Sequence, residues 1–94
     1  LITEHEARRR LQLIRDMKLP ARRKARLILS VDRAVGRQLR ELEDAERRLA
    51  RANDTRTLSA MRRMLLGWRR IRIEARTLAR SALNEFAGAK LSIS

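Results

Sequence analysis

The chain has 94 residues, enough for one domain and too few to bury much more than about two thirds of the surface its unfolded form exposes. Thirteen of its hydrophobic residues are alanine, and with one Trp, one Phe and no Tyr its core is thin, so oligomerisation or docking is an expected source of extra stability. The absence of cysteine excludes disulfides and thiolate metal sites, while 24 Lys and Arg against 11 Asp and Glu give a net charge of +13, which favours a polyanionic partner.

The first element is a helix over about 4–18. Thr3-Glu4-His5-Glu6 has the spacing of a capping box, in which the Thr3 and Glu6 side chains each satisfy the other's backbone amide. Leu11, Ile14 and Met17 or Lys18 form a short apolar face, with Leu13 beside it, so this helix is weak alone. Pro20 disfavours helical geometry at Leu19 and suits the first position of a new helix, which places the break at Leu19.

The second helix covers about 20–52. Ile28, Val31, Val35, Leu39, Leu42, Ala45, Leu49 and Ala52 recur at steps of three and four, a continuous stripe close to a heptad seam of a coiled coil. Asn53-Asp54-Thr55 is a turn signal, with Asp or Thr able to cap the next helix. The third helix covers about 56–87, burying Met61, Met64 or Leu65, Trp68, Ile71, Ala75, Leu78, Ala82 and Phe86; Gly88 marks its end and residues 88–94 read as a flexible tail.

Two long helices joined by so short a turn must double back. The expected fold is therefore all-α: a single helical domain over 1–94 made of a long antiparallel hairpin, with the short first helix packed at its open end in a three-helix arrangement. Residues whose numbers total about 108 then face each other, so that Leu39 and Leu42 approach Leu65 and Trp68, and Val31 and Val35 approach Ile71 and Ala75. Gly36 and Gly67 fall inside the long helices, where each costs about 1 kcal/mol relative to Ala and can permit close packing or a kink.

The charge is unevenly spread. Segments 18–40 and 55–84 carry the excess, and 41–54 is net acidic, which leaves the hairpin tip almost neutral. On helix two, Arg26, Arg33, Arg37 and Arg40 share a face; on helix three, Arg69, Arg72, Arg76 and Arg80 do the same, with Arg62, Arg63 and Arg70 nearby. Unopposed like charges at these spacings destabilise a helix unless an anion balances them. Arg22, Arg23 and Lys24 lie in the first turn of helix two, where free amides and three cations together suit a phosphate. Glu41, Glu43, Asp44 and Glu46 precede Arg47, Arg48 and Arg51 at spacings that allow ion pairs along the helix, while Glu4, Glu6 and Asp16 neutralise Arg8-Arg9-Arg10.

An enzyme is not expected. His5 is the sole histidine and sits between two glutamates near a helix start, no Gly-rich phosphate loop occurs, and nothing points to a cofactor or a metal. No zinc spacing or helix-turn-helix signature is present, so binding to DNA or RNA would use backbone contacts rather than base readout. Trp68 belongs to the buried stripe before it is a stacking platform.

These features lead to the expectation of a non-catalytic, arginine-rich binding protein that contacts nucleic-acid phosphates. The alternative is a structural or adaptor subunit of a larger assembly, such as a virion or secretion complex, docking on an acidic protein surface as a homo-oligomer or one of several components. An anionic membrane surface ranks third. No apolar run exceeds four residues, so no spanning segment or signal peptide is expected, and the location is cytoplasmic or within an assembly.

Overall fold

The described residues form three helices, α1 (Glu4–Asp16), α2 (Ala21–Arg51) and α3 (Thr55–Ile93). The computed structural model describes residues 2–93, with side chains described as far as Glu85, and contains no strand among them. The molecule measures 61 × 20 × 15 Å, the proportions of a hairpin with one helix laid against it.

α1 begins as its capping signal requires, because the Thr3 hydroxyl accepts from the Glu6 amide at 3.1 Å. Only this half of the box forms among the described residues: Glu6 is exposed and does not return a bond to Thr3. The helix ends at Asp16, two residues before the expected Lys18, where Met17 turns extended (φ -70, ψ 138) while its amide still bonds the carbonyls of Leu13 and Ile14. Pro20, also extended, precedes α2 as its cap rather than standing inside it.

The reversal between α2 and α3 is short because Asn53 adopts the left-handed conformation (φ 56), which Asn tolerates better than most residues. Asp54 then caps α3, its Oδ1 accepting from the Thr57 amide at 3.1 Å. α3 runs to Ile93, past the end expected near Ala87; a single glycine such as Gly88 costs a helix about 1 kcal/mol and does not by itself stop it. The side chain of Phe86, expected in the buried stripe, lies outside the described residues, whereas residues 88–93, expected as a loose tail, continue α3.

The hairpin has the expected register. Glu46 meets Arg62, a β-carbon at Gly36 would meet Arg72, and Asp32 meets Arg76, pairs whose numbers each total 108. Ile28, Val31, Val35 and Leu39 of α2 pack with Leu65, Trp68, Ile71, Ala75 and Ala79 of α3. Toward the tip the seam thins, with Leu42, Ala45 and Leu49 half-buried and Ala52 exposed, since only two helices are present there to cover one another. Leu65 rather than Met64 takes the core position, and Met64 is exposed.

α1 inserts Ala7, Leu11 and Ile14 into this core, while Leu13 and Met17 remain exposed. It does not cross the open end. The Glu4 carboxylate lies over Gly67, Arg8 approaches Glu74 at 4.0 Å, and Leu11 and Arg15 border Thr77 and Leu78, so α1 runs lengthwise beside α3 from the middle of the hairpin outward. A helix with three buried residues covers most apolar surface by lying along the hairpin groove, which explains the orientation. A β-carbon at Gly67 would stand 2.7 Å from Glu4 Oε1, so this glycine makes room for a carboxylate rather than for another backbone.

Candidate nucleic-acid interface

At about 100° per residue, Arg26, Arg33 and Arg37 project from α2 opposite its core stripe and are exposed with no ion pair among the described residues, while Arg40, next round the same face, lies at the edge of the seam one turn past Gly36. On α3, Arg62, Arg69, Arg76 and Arg80 form a stripe at the edge of the core, and Arg63 and Arg70 lie farther round the outer surface. The two stripes flank one long side of the hairpin, the side away from α1. They meet at Asp32.

Asp32 follows Ile28 by one turn and precedes Val35, which carries its carboxylate into the seam, where its side chain is 10% exposed. Arg72 donates from Nε to Asp32 Oδ1 at 3.1 Å, and Arg76 brings its Nε within 3.6 Å of Oδ2. Both carboxylate oxygens are thereby engaged by helix three, which satisfies a charge that would otherwise be costly to bury. The Arg72 side chain is 30% exposed and that of Arg76 59%, so water still reaches both cations.

Gly36, one turn after Asp32, is buried, and a β-carbon there would stand 3.2 Å from Cζ of Arg72. The missing side chain lets the guanidinium lie flat against α2. Arg40, one turn farther, reaches back so that its Nε donates to the Gly36 carbonyl at 3.4 Å. Asp32, Gly36 and Arg40 thus form a ladder on α2 that meets Arg72 and Arg76 of α3.

Several expected cations are used otherwise. Lys24 donates from Nζ to the Arg15 carbonyl at 3.0 Å, closing the end of α1, so one of the three cations expected to hold a phosphate together with Arg22 and Arg23 also serves the helix end. Arg62 pairs with Glu46 across the hairpin at 3.6 Å. Of the ion pairs expected within the acidic run of α2, Asp44 with Arg47 forms. Arg8 pairs with Glu4 at 3.2 Å, as expected of the first arginine run, whereas Asp16 accepts from Gln12.

The remaining predicted residues, Arg23, Arg26, Arg33, Arg37, Arg63, Arg69, Arg70 and Arg80, are exposed and unpaired among the described residues. Trp68 is 4% exposed inside the core and presents no ring face for stacking. Asp32 was not among the predicted site residues. Its signal was its position: a lone acid on an apolar stripe, at the register that meets Arg76.

Between α1 and α3 a cleft of about 470 Å³ is bordered by Arg8, Arg15, Glu74 and Leu78, with the exposed Ile73 at its lip. No helix among the described residues is long and apolar enough to cross a membrane. No protein-family model, no curated protein and no solved structure matches the chain.

Proposed function

We propose that this chain is a non-catalytic helical module that binds nucleic-acid phosphates with little sequence readout. The observation that supports this reading most is the set of arginines on α2 and α3 that are exposed and lack any carboxylate partner among the described residues. Guanidinium groups pair bidentately with phosphate oxygens, and a row of them without counter-charges favours a polyanion over a neutral surface. With Trp68 buried and no tyrosine in the chain, base stacking contributes little, so backbone contacts supply the affinity.

A fluorescence-anisotropy titration of a labelled duplex at several salt concentrations tests this. Engaging about six phosphates gives a slope of log K against log salt near about -5, with scrambled sequences binding alike. Absence of binding at low ionic strength removes the proposal.

A second reading, an adaptor that docks on an acidic protein surface, draws on two exposed apolar residues of α3. Leu66 and Ile73, 53% and 65% exposed, stand two turns apart on a stripe bordered by Arg62 and Arg69 on one side and Arg63 and Arg70 on the other. Purification with and without nuclease, with mass read by light scattering, separates the two. A complex of fixed stoichiometry that survives nuclease and is lost in Leu66→Gln/Ile73→Gln favours the adaptor.

A further inference from the structure

Three arginines from two helices are held at one place in the same manner. Arg40 donates from Nε to the Gly36 carbonyl, Arg72 donates from Nε to Asp32 Oδ1, and Arg76 sets its Nε beside Asp32 Oδ2. In each case the fold engages the inner edge of the guanidinium. The terminal amino groups of all three form no hydrogen bond among the described residues.

We infer that this cluster is a preorganised phosphate-binding site, with Arg40, Arg72 and Arg76 as the contacting residues and Asp32 and Gly36 as positioning residues. It rests on the nucleic-acid reading for the source of the phosphate, a backbone phosphodiester, and deepens that reading by naming where the chain grips first.

The physical reasons are three. A guanidinium presents its donors in a rigid fork, so tethering Nε fixes the direction of the outer edge and lowers the entropy lost when an anion binds. Asp32 is nearly enclosed by the hairpin, so its charge holds the arginines without facing an incoming phosphate. The cluster also remains cationic: Arg69 stands one turn before Arg72 on the same stripe, and of the nearby carboxylates Glu46 is taken by Arg62 and Asp44 by Arg47, leaving Glu41 and Glu43, close to Arg40 in sequence, without an ion pair among the described residues.

Because Asp32 positions rather than contacts, its removal has an effect opposite in sign to that of simple charge counting. Asp32→Asn raises the net charge by one, so a surface that attracts phosphate only through its overall charge binds more tightly. A preorganised cluster binds more weakly, because Arg72 and Arg76 are no longer held.

The test uses the full chain with two probes, a labelled duplex oligonucleotide and inorganic pyrophosphate, and follows the arginine Nε–H resonances by NMR. The expected result is that pyrophosphate shifts the Arg40, Arg72 and Arg76 signals at lower concentration than those of Arg26 and Arg63. Arg72→Lys and Arg76→Lys then weaken oligonucleotide binding by about fivefold or more, whereas Arg26→Lys and Arg63→Lys, which conserve charge equally, change it less than about twofold. Gly36→Ala, which conserves every charge and displaces the Arg72 fork, weakens binding as well.

Equal effects of all four lysine variants, or uniform shifts across the arginines, overturn the site while leaving the general nucleic-acid reading standing. If the oligonucleotide does not bind at all, that reading fails, and the pyrophosphate titration alone decides whether the cluster takes phosphate. Circular dichroism on each variant identifies any that has unfolded; the lysine pair decides the matter if Asp32→Asn has.

Discussion

Nε of Arg72 lies 3.1 Å from Oδ1 of Asp32, joining residues forty positions apart in the chain and closing the seam between α2 and α3 with a charged pair. The carboxylate is 10% exposed and the guanidinium 30%. A pair of this kind contributes less by its own attraction than it costs to break, because removing one partner leaves the other stranded in a poorly hydrated place.

Asp32→Asn is therefore expected to destabilise the hairpin by about 1–3 kcal/mol, below the range for a fully enclosed pair because water reaches both arginines. Urea denaturation followed at 222 nm measures it. Replacing Asp32 and Arg72 together by apolar residues of similar size is expected to recover most of the loss, and a double-mutant cycle reads the coupling.

Trp68 is the largest side chain of the core and has few others to share its load. Trp68→Ala is expected to cost about 3–5 kcal/mol, a large fraction of what a small domain has in total, and to leave the chain partly unfolded at room temperature. In the intact protein, acrylamide should quench the indole weakly both with and without oligonucleotide. Strong quenching in the free protein, or a large ligand-dependent change, would contradict a buried Trp68 that plays no part in stacking.

The two side-chain caps differ in what depends on them. Asp54 starts the helix that carries half the core, so Asp54→Ala should lower global stability by about 1 kcal/mol in the same denaturation experiment. Thr3 starts a helix that holds on through Ala7, Leu11 and Ile14, so Thr3→Ala should appear first as faster amide exchange at Glu6, with little change in the hairpin.

The hairpin was legible in the sequence because three independent signals agree on it: an apolar stripe on each long segment, Pro20 between the first two helices, and Asn53-Asp54 at the reversal. Agreement of this kind also sets the register, and with it the meeting of Gly36 with Arg72 and of Asp32 with Arg76. The choice between Met64 and Leu65 was not legible, since neighbours on a helix differ by about 100° and both fit a drifting stripe.

The direction of α1 was hidden for a different reason. Three buried residues do not by themselves define an axis in the sequence; the groove they cover, with Gly67 leaving room for the Glu4 carboxylate, is a relation between helices that no periodicity encodes. The site was partly legible. Spacing placed the arginines on shared faces, but whether a given guanidinium is exposed or tethered depends on single partners such as Asp32, the Gly36 carbonyl and Glu46. Lys24 illustrates the same dependence: the turn through Met17 to Pro20 brings it back to the end of α1, where its ammonium donates to the Arg15 carbonyl.

A rod 61 Å long carries its cations on a fixed ruler. With a rise of about 1.5 Å per residue, Arg26 to Arg40 extends over about 21 Å, the length of about six base pairs at about 3.4 Å each. The whole molecule laid parallel to a duplex occludes about eighteen base pairs. Binding stoichiometry on duplexes of graded length should consequently step up once between those two limits, and a second molecule should find room only on targets that extend beyond the first.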